Sequence, residues 1–467
     1  MKYVSTRGSA PTLEFEDVLL AGLASDGGLY VPSAWPVLSG ADIAGFAGRP
    51  YADVAEIVMR PFIGKAASPA EFSAIVSAAY ESFRHKAVAP LVQLDAEDWL
   101  LELFHGPTLA FKDVAMQLLG RLFDHVLAKR GARITIVGAT SGDTGGAAIE
   151  ALRGRELVDI FILHPEGRVS DVQRRQMTTV LDDNVHNIAI DGSFDDCQNL
   201  VKAMFGDEAF RTRVALSAVN SINWARIMAQ IVYYFTSAAA LGGPARAFSY
   251  SVPTGNFGDI FAGYAAKRMG LPMGKLIIAT NVNDILYRTL RTGRYEMEGV
   301  TPSNSPSMDI QISSNFERAL YEAYGRNAVA ASDAMMRLKQ SGAFDVEGQA
   351  LASLQRDYLA ERASEEEIAE TIADALQTSG ELIDPHTACG VAAARKLRAA
   401  GAVSGPIVTL ATAHPAKFPA AVHGASGISP VLPSHLSDLL DREERASPLP
   451  NDLEAVEAFI VERSRAA

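Results

Sequence analysis

Apolar and polar positions along this chain follow two different rhythms. Up to about residue 95 the spacing is mainly helical: Phe15, Val18, Leu19, Gly22 and Leu23 fall on one helical face, and the segment SDGGLYVP then breaks the pattern. From about Asp98 short β-rich runs alternate with amphipathic helices. RITIV leads into GATSGDTGG and a helix from about Ala147, and DIFIL leads into HPEGRVSDVQRRQM. VHNIAI is followed by DGSFDDCQNLVKAMF, AFSYSV by PTGNFGD and the helix IFAGYAAKRM, and GPIVTLA by TAHPAKF. Strands alternating with helices predict an α/β architecture with parallel sheets. A more helical insertion lies between Thr301 and Gln377 and includes SEEEIAETIADAL, where Ser364 and Glu367 have capping-box spacing. After Arg442 the tail reads as a loop and one short amphipathic helix.

Length and charge narrow the class. A chain of 467 residues is too long for one ordinary core, so two or three domains are expected. The formal net charge of -13 argues against nucleic acid as a partner. No uninterrupted apolar run reaches about eighteen residues, so no membrane span is expected. Glu14, Glu16 and Asp17 stand where a secretory signal needs apolar residues. Cys197 and Cys389 form no motif with each other, which leaves no sign of a disulfide framework or a metal site. The expectation is a cytoplasmic protein, with no signal of its oligomeric state.

The chemistry is concentrated in four places. Lys112 sits in HGPTLAFKDVAMQLLG with Leu109, Ala110 and Phe111 before it and Val114 and Ala115 after it. A lysine in an apolar setting has a depressed pKa and can form a Schiff base. In PTGNFGDIFAG, Gly255 and Gly258 permit close backbone approach at a helix start, which suits a phosphate; a tight turn is the plainer alternative. In GATSGDTGG, the residues Ser141, Gly142, Asp143 and Thr144 either cradle a carboxylate or merely cap a helix. In TLATAHPAKF, Thr412 ends a buried strand, where α/β enzymes place ligands, with His414 and Lys417 nearby. Together the four match the needs of a pyridoxal phosphate site: a lysine for the aldehyde carbon, a loop for the phosphate, a cradle for a carboxylate and a hydroxyl for the pyridine nitrogen.

Nearly the whole chain resembles the threonine synthases, fold-type II pyridoxal phosphate enzymes related to the tryptophan synthase β subunit. The resemblance is carried by YVSTRG, ASDGGLYVP, ELFHGPTLAFKD, GATSGDTG, GRVSDVQRRQM, NSINWARI, PTGNFGD, SPSMDIQISSNFERALYE and TAHPAKF in that order. It implies that Lys112 is the Schiff-base lysine and the base for the substrate Cα proton. It implies that Gly255, Asn256, Phe257, Gly258 and Asp259 form the cofactor phosphate loop and that Thr412 meets the pyridine nitrogen. The substrate it implies is O-phospho-L-homoserine, converted with water to L-threonine and phosphate. A related phospholyase, releasing 2-oxobutyrate, is the alternative. Arg168, Arg174 and Arg226 lie in family-like segments as candidate partners of the substrate phosphate, each with a surface ion pair as the plainer alternative. One departure from many fold-type II enzymes is SGD in place of SGN, which puts Asp143 where an asparagine often stands near the cofactor hydroxyl. The architecture implied is a helical N-terminal domain (1–95) and two α/β lobes with mostly parallel sheets. The small lobe is expected at 111–235. The large lobe is expected at 96–110 and 236–467, with the helical insertion at about 301–377.

Overall fold

The computed structural model describes residues 1–140 and 142–467. Two sheets organise it. The larger has the strand order Tyr358–Arg362, Met273–Thr280, Phe248–Pro253, Ile407–Ala411, Asp98–Glu102, Leu91–Gln93. Every neighbour in it is parallel except the last, which pairs antiparallel. The smaller sheet has the order Ser447–Pro450, Val185–Asp191, Val158–Pro165, Ile134–Ala139, Leu216–Ser217 and is parallel throughout. Val158–Pro165 is buried at all eight positions, as a central strand covered on both faces must be. The expected mixed α/β class with mostly parallel sheets is what the chain adopts.

The helix Trp224–Ala240 holds the molecule together. Its residues are buried on all sides, so it is an interior helix rather than an amphipathic one. It packs against the helices Tyr51–Ile63, Lys112–Arg130 and Gly258–Arg268. Through it the N-terminal region shares a core with both lobes: the rings of Tyr3 and Phe62 lie 6.0 and 5.6 Å from that of Trp224. The predicted capping box at Ser364 and Glu367 is present, with both reciprocal bonds made.

Three features depart from the pattern reading. The N-terminal region is not only helical: Leu13–Glu14, Lys2–Ser5 and Tyr30–Pro32 form a small antiparallel sheet. Its first helix stops at Ala21, and Gly22 turns the chain at φ 64°, so Leu23 lies beyond the helix and is exposed. Second, the insertion at 301–377 contains Tyr358–Arg362, an edge strand of the large sheet. Its sequence, YLAER, has Tyr358 as its one strand-favouring residue and therefore carries a weak strand signal of its own. Third, the tail was expected with the large lobe, yet Ser447–Pro450 pairs with Val185–Asp191 at the edge of the small sheet. Two prolines in SPLP read as a loop; they are tolerated because the strand is an edge. The following helix, Leu453–Arg463, packs onto the same lobe through Val456 and Ile460.

Among the described residues no helix is long and apolar enough to cross a membrane. The loops that follow Ile134–Ala139, Phe248–Pro253 and Ile407–Ala411 all leave the carboxyl ends of parallel strands, where open α/β sheets bind their ligands.

Candidate active site

Lys112 is the first residue of the helix Lys112–Arg130, and the turn before it is shaped to place it. A Cβ at Gly106 would come within 2.4 Å of the Asp113 Cβ, so glycine is what lets Asp113 fold back over the turn. The Asp113 carboxylate accepts from the Thr108 amide (2.8 Å) and hydroxyl (2.7 Å). Leu109 takes a left-handed conformation, φ 61°, which costs an ordinary side chain energy and is sustained by its surroundings. The Phe111 N–H donates to the Thr412 carbonyl (2.8 Å) and the His414 N–H to the Leu109 carbonyl (3.0 Å). This short clasp ties the lysine turn to the end of Ile407–Ala411, so Lys112 and Thr412 are neighbours for a backbone reason.

Two lysines share one carboxylate here. Lys112 is buried, with Nζ 3.3 Å from Asp143 Oδ2 and 3.5 Å from Ser307 Oγ. Burial pushes its pKa down; Asp143 opposes that, while Lys417 and Arg226 reinforce it. The positive end of its own helix acts in the same sense as those cations. Lys417 has no exposed surface. Its Nζ reaches Asp143 Oδ1 (2.8 Å), the Thr108 carbonyl (2.7 Å) and Gln176 Oε1 (3.0 Å). Three acceptors for three protons describe a fixed ammonium. The longer contacts of Lys112 make it the lysine able to give up a proton. For Asp143, burial pushes the carboxyl up, but Lys417, Lys112 and the hydrogen bond from Gln173 (2.9 Å) outweigh it and hold the group well below the usual range.

The loop around Asp143 is built from small residues. The Thr140 hydroxyl accepts from the amides of Gly142 (3.0 Å) and Gly145 (2.9 Å). Gly142 has φ 146°, and a Cβ there would lie 2.5 Å from Gln173, so the position requires glycine. Asp143 and the half-buried Thr144 open the helix Asp143–Leu152. Ser141 lies outside the described residues.

The glycine loop after Phe248–Pro253 is held from above by the segment 305–315. The Asn315 amide (3.0 Å) and side chain (2.9 Å) donate to the Asn256 carbonyl, and the Ser313 hydroxyl donates to the Gly255 carbonyl (2.6 Å). Phe257 is left-handed, φ 63°, with its ring fixed against Phe316 (5.3 Å) and Tyr358 (5.4 Å). Gly258 and Asp259 form the first turn of Gly258–Arg268, whose N–H groups have no partner within the helix. The need for glycine at 255 comes from the protein itself: a Cβ would lie 2.5 Å from the Ser307 carbonyl. The Asp259 carboxylate turns inward to the hydroxyls of Tyr233 and Tyr234, the latter at 3.3 Å, and burial pushes its pKa up to about 7. What Asp259 presents to the loop is therefore its backbone N–H.

The three arginines separate. Arg226 is buried near Lys112, with Nη1 donating to the Val219 carbonyl (3.2 Å) and Nε without a partner among the described residues. Burial alone pushes its pKa down to about 10, because no carboxylate stands beside it. Its guanidinium is thus buried without a counter-charge from the protein. Arg174 is instead engaged by Glu444 and by Asp171 (3.1 Å). Arg168 is exposed on the loop after Val158–Pro165. Neither is gathered with Lys112, contrary to the expectation from their segments.

The structure adds residues that sequence reasoning did not assign: Lys417, Gln173, Gln176, Ser307 and the pair Asp384–His386. The Ser307 amide donates to His386 Nε2 (3.2 Å), so the ring proton is on Nδ1, which donates to Asp384 (2.7 Å). Most of these sit in motif-bearing segments, but a glutamine or serine there reads as solvated surface until the lobes meet. Two surface clefts, one beside Met1 and Lys129 and one beside His186 and Arg445, are not lined by Lys112 or Asp143. The lysine lies in the closed seam between lobes, where Ser307 and Asp143 touch (3.4 Å).

The whole chain matches one family. A family model described as "Threonine synthase N terminus" matches residues 2–80, "Pyridoxal-phosphate dependent enzyme" matches 84–348, and "Threonine synthase, C-terminal" matches 387–460. The chain is 58% identical to a threonine synthase of Pseudomonas aeruginosa, covering 98% of both chains. It is 45% identical to that of Saccharomyces cerevisiae, covering 94% of this chain and 93% of the relative. Among solved structures, a pyridoxal-phosphate-bound threonine synthase from Brucella melitensis has 59% identity and a TM-score of 0.97, with both chains fully covered. The yeast enzyme has 42% identity and a TM-score of 0.94, covering 99% of this chain and 98% of the other. With similarity running from end to end and a buried lysine poised at the seam, the chain belongs to the threonine synthase family of pyridoxal-phosphate-dependent enzymes.

Proposed function

We propose that this protein converts O-phospho-L-homoserine and water to L-threonine and phosphate. The observation that carries the reading is the seam itself: Lys112 and Lys417 share one carboxylate, Asp143, and Arg226 is buried near Lys112 with no carboxylate of its own, which leaves an excess of buried positive charge. Such an excess fits anionic guests, and both pyridoxal phosphate and a phosphorylated amino acid are anionic. Lys112 would hold the cofactor's aldehyde carbon, the unpartnered amides at the start of Gly258–Arg268 its phosphate, and Thr412 its pyridine nitrogen. Bound there, the cofactor supplies an electron sink for charge left on carbon when a proton departs.

The chain's own groups do the rest. Lys112, kept short of a proton by burial and by neighbouring cations, takes the proton from the substrate Cα. Asp143 stays ionised and orients that amine. Thr412 would offer that nitrogen a neutral hydroxyl in place of a carboxylate, a partner that favours an unprotonated ring. Arg226 offers the leaving phosphate a desolvated cation, worth more in the seam than in water. Closure of Ser307 onto Asp143 limits the water that reaches the reacting carbons. The reading carries a cytoplasmic location, a small-molecule substrate and no nucleic acid partner, in keeping with a net charge of -13.

Product analysis tests it. With O-phospho-L-homoserine, the cofactor-loaded enzyme is expected to release threonine and phosphate in equal amounts. Phosphate accompanied by 2-oxobutyrate instead would place the chain with the phospholyases.

A further inference from the structure

We propose that Lys417 is a positioning residue for this reaction: its ammonium locks the Asp143 carboxylate with one oxygen toward Lys112, and supplies the fixed positive charge beside which Lys112 works. The inference rests on Lys112 being the cofactor lysine.

The argument begins with cost. A lysine with no exposed surface is expensive to bury, and an apolar side chain of similar volume would fill the same space more cheaply. Lys417 nevertheless closes the three-residue turn Pro415–Lys417, with the His414 ring accepting the Ala416 amide (3.1 Å) and so fixing the turn. From there Nζ makes three contacts, one from each side: Asp143 of the small lobe, Thr108 of the lysine turn and Gln176 of the helix Asp171–Thr178. Asp143 Oδ1 is held by Lys417 and Gln173, so Oδ2 is left for Lys112 and Ser307. The carboxylate cannot rotate without breaking the two shorter contacts. The charged groups facing Lys112 are then Asp143, Lys417 and Arg226, with Asp259 feeling it from the glycine loop. Only Lys417 both repels the Lys112 proton and restrains the carboxylate that attracts it.

The test reads the pH midpoint of the bound cofactor's absorbance in the loaded enzyme without substrate, and the acidic limb of kcat/KM. Lys417→Met removes a positive charge and leaves Lys112 as the one cation in contact with Asp143, so both changes tighten the Lys112 proton. Because the two nitrogens touch one carboxylate they lie within roughly 8 Å, and an effective dielectric of about 20 then gives an upward shift of about 1.5 pH units. Asp143→Asn is expected to shift the midpoint the opposite way, and Lys417→Met with Asp143→Asn to return it toward the parent. A Lys417→Met midpoint equal to the parent's, or single variants that shift in the same direction, overturns the proposal. Should Lys417→Met fail to fold, Lys417→Gln is read in its place: an upward shift supports the proposal and no shift overturns it. Borohydride fixation followed by peptide mapping separates the two readings. Label on a lysine other than Lys112 in the parent enzyme defeats the functional reading; label on Lys112 with unmoved midpoints defeats only the role of Lys417.

Discussion

Arg226→Met should make the cofactor-free chain more stable while weakening its grip on phosphorylated substrate. Burial lowers the Arg226 pKa from the ordinary arginine value to about 10, which corresponds to a folding penalty of about 3 kcal/mol. The sign follows from linkage. A cation whose folded pKa is depressed binds its proton less tightly in the folded state, so the penalty is fully present below about pH 10 and fades as the pH rises from there toward the ordinary arginine value. At neutral pH the whole penalty applies. Methionine keeps the apolar bulk and loses the bond to the Val219 carbonyl, a cost of about 1 kcal/mol. The net expectation is a gain of about 2 kcal/mol, read as a higher urea midpoint with an unchanged slope. Substrate binding should move the other way. A hydrogen bond between charged groups is worth about 1.5–3 kcal/mol, so KM for O-phospho-L-homoserine should rise roughly tenfold to a hundredfold. A variant less stable than the parent would refute the unpaired-cation account. An unchanged KM would refute the role in holding phosphate.

Three further outcomes follow from the same geometry. Lys112→Ala should fold, should lose borohydride fixation of the cofactor, and should lose more turnover than the roughly hundredfold to ten-thousandfold typical of a missing base; near-parental threonine formation would move attention to Lys417. Gly255→Ala should destabilise the chain by about 1–3 kcal/mol even without cofactor, because the new Cβ meets the Ser307 carbonyl at 2.5 Å; unchanged cofactor-free stability would mean that the glycine serves the bound phosphate alone. Asp259 has a pKa raised from 3.8 to about 7, so the folded state holds its proton more tightly and stability should fall as pH rises from about 4 to about 7. Asp259→Asn should flatten that slope without loss of cofactor affinity, and a slope equal to the parent's would show that Asp259 is not its source.

What the sequence determined by itself was local. A strand of period two or a buried apolar run, followed by small residues and a helix, is a short-range pattern, so Ile134–Ala139, Val158–Pro165, Val185–Asp191, Phe248–Pro253 and Ile407–Ala411 were all legible, and with them the α/β class. Lys112 stood out as a lysine among apolar residues, whereas the glycine loop and Thr412, each open to a plain turn as the alternative, were singled out only through the company of the other segments. The edge strands Tyr358–Arg362 and Ser447–Pro450 were not, since YLAER and SPLP become strands only where a long-range partner supplies the hydrogen bonds. The arginines were equal in sequence, and only packing separated buried Arg226 from Arg174 on Glu444 and from exposed Arg168. Lys417 lies 305 positions from Lys112 along the chain, and nothing local distinguishes it from a surface lysine. Its charge acquires meaning only when the two lobes close on Asp143, because electrostatics depends on distance in space and on the exclusion of water, neither of which is written in neighbouring residues.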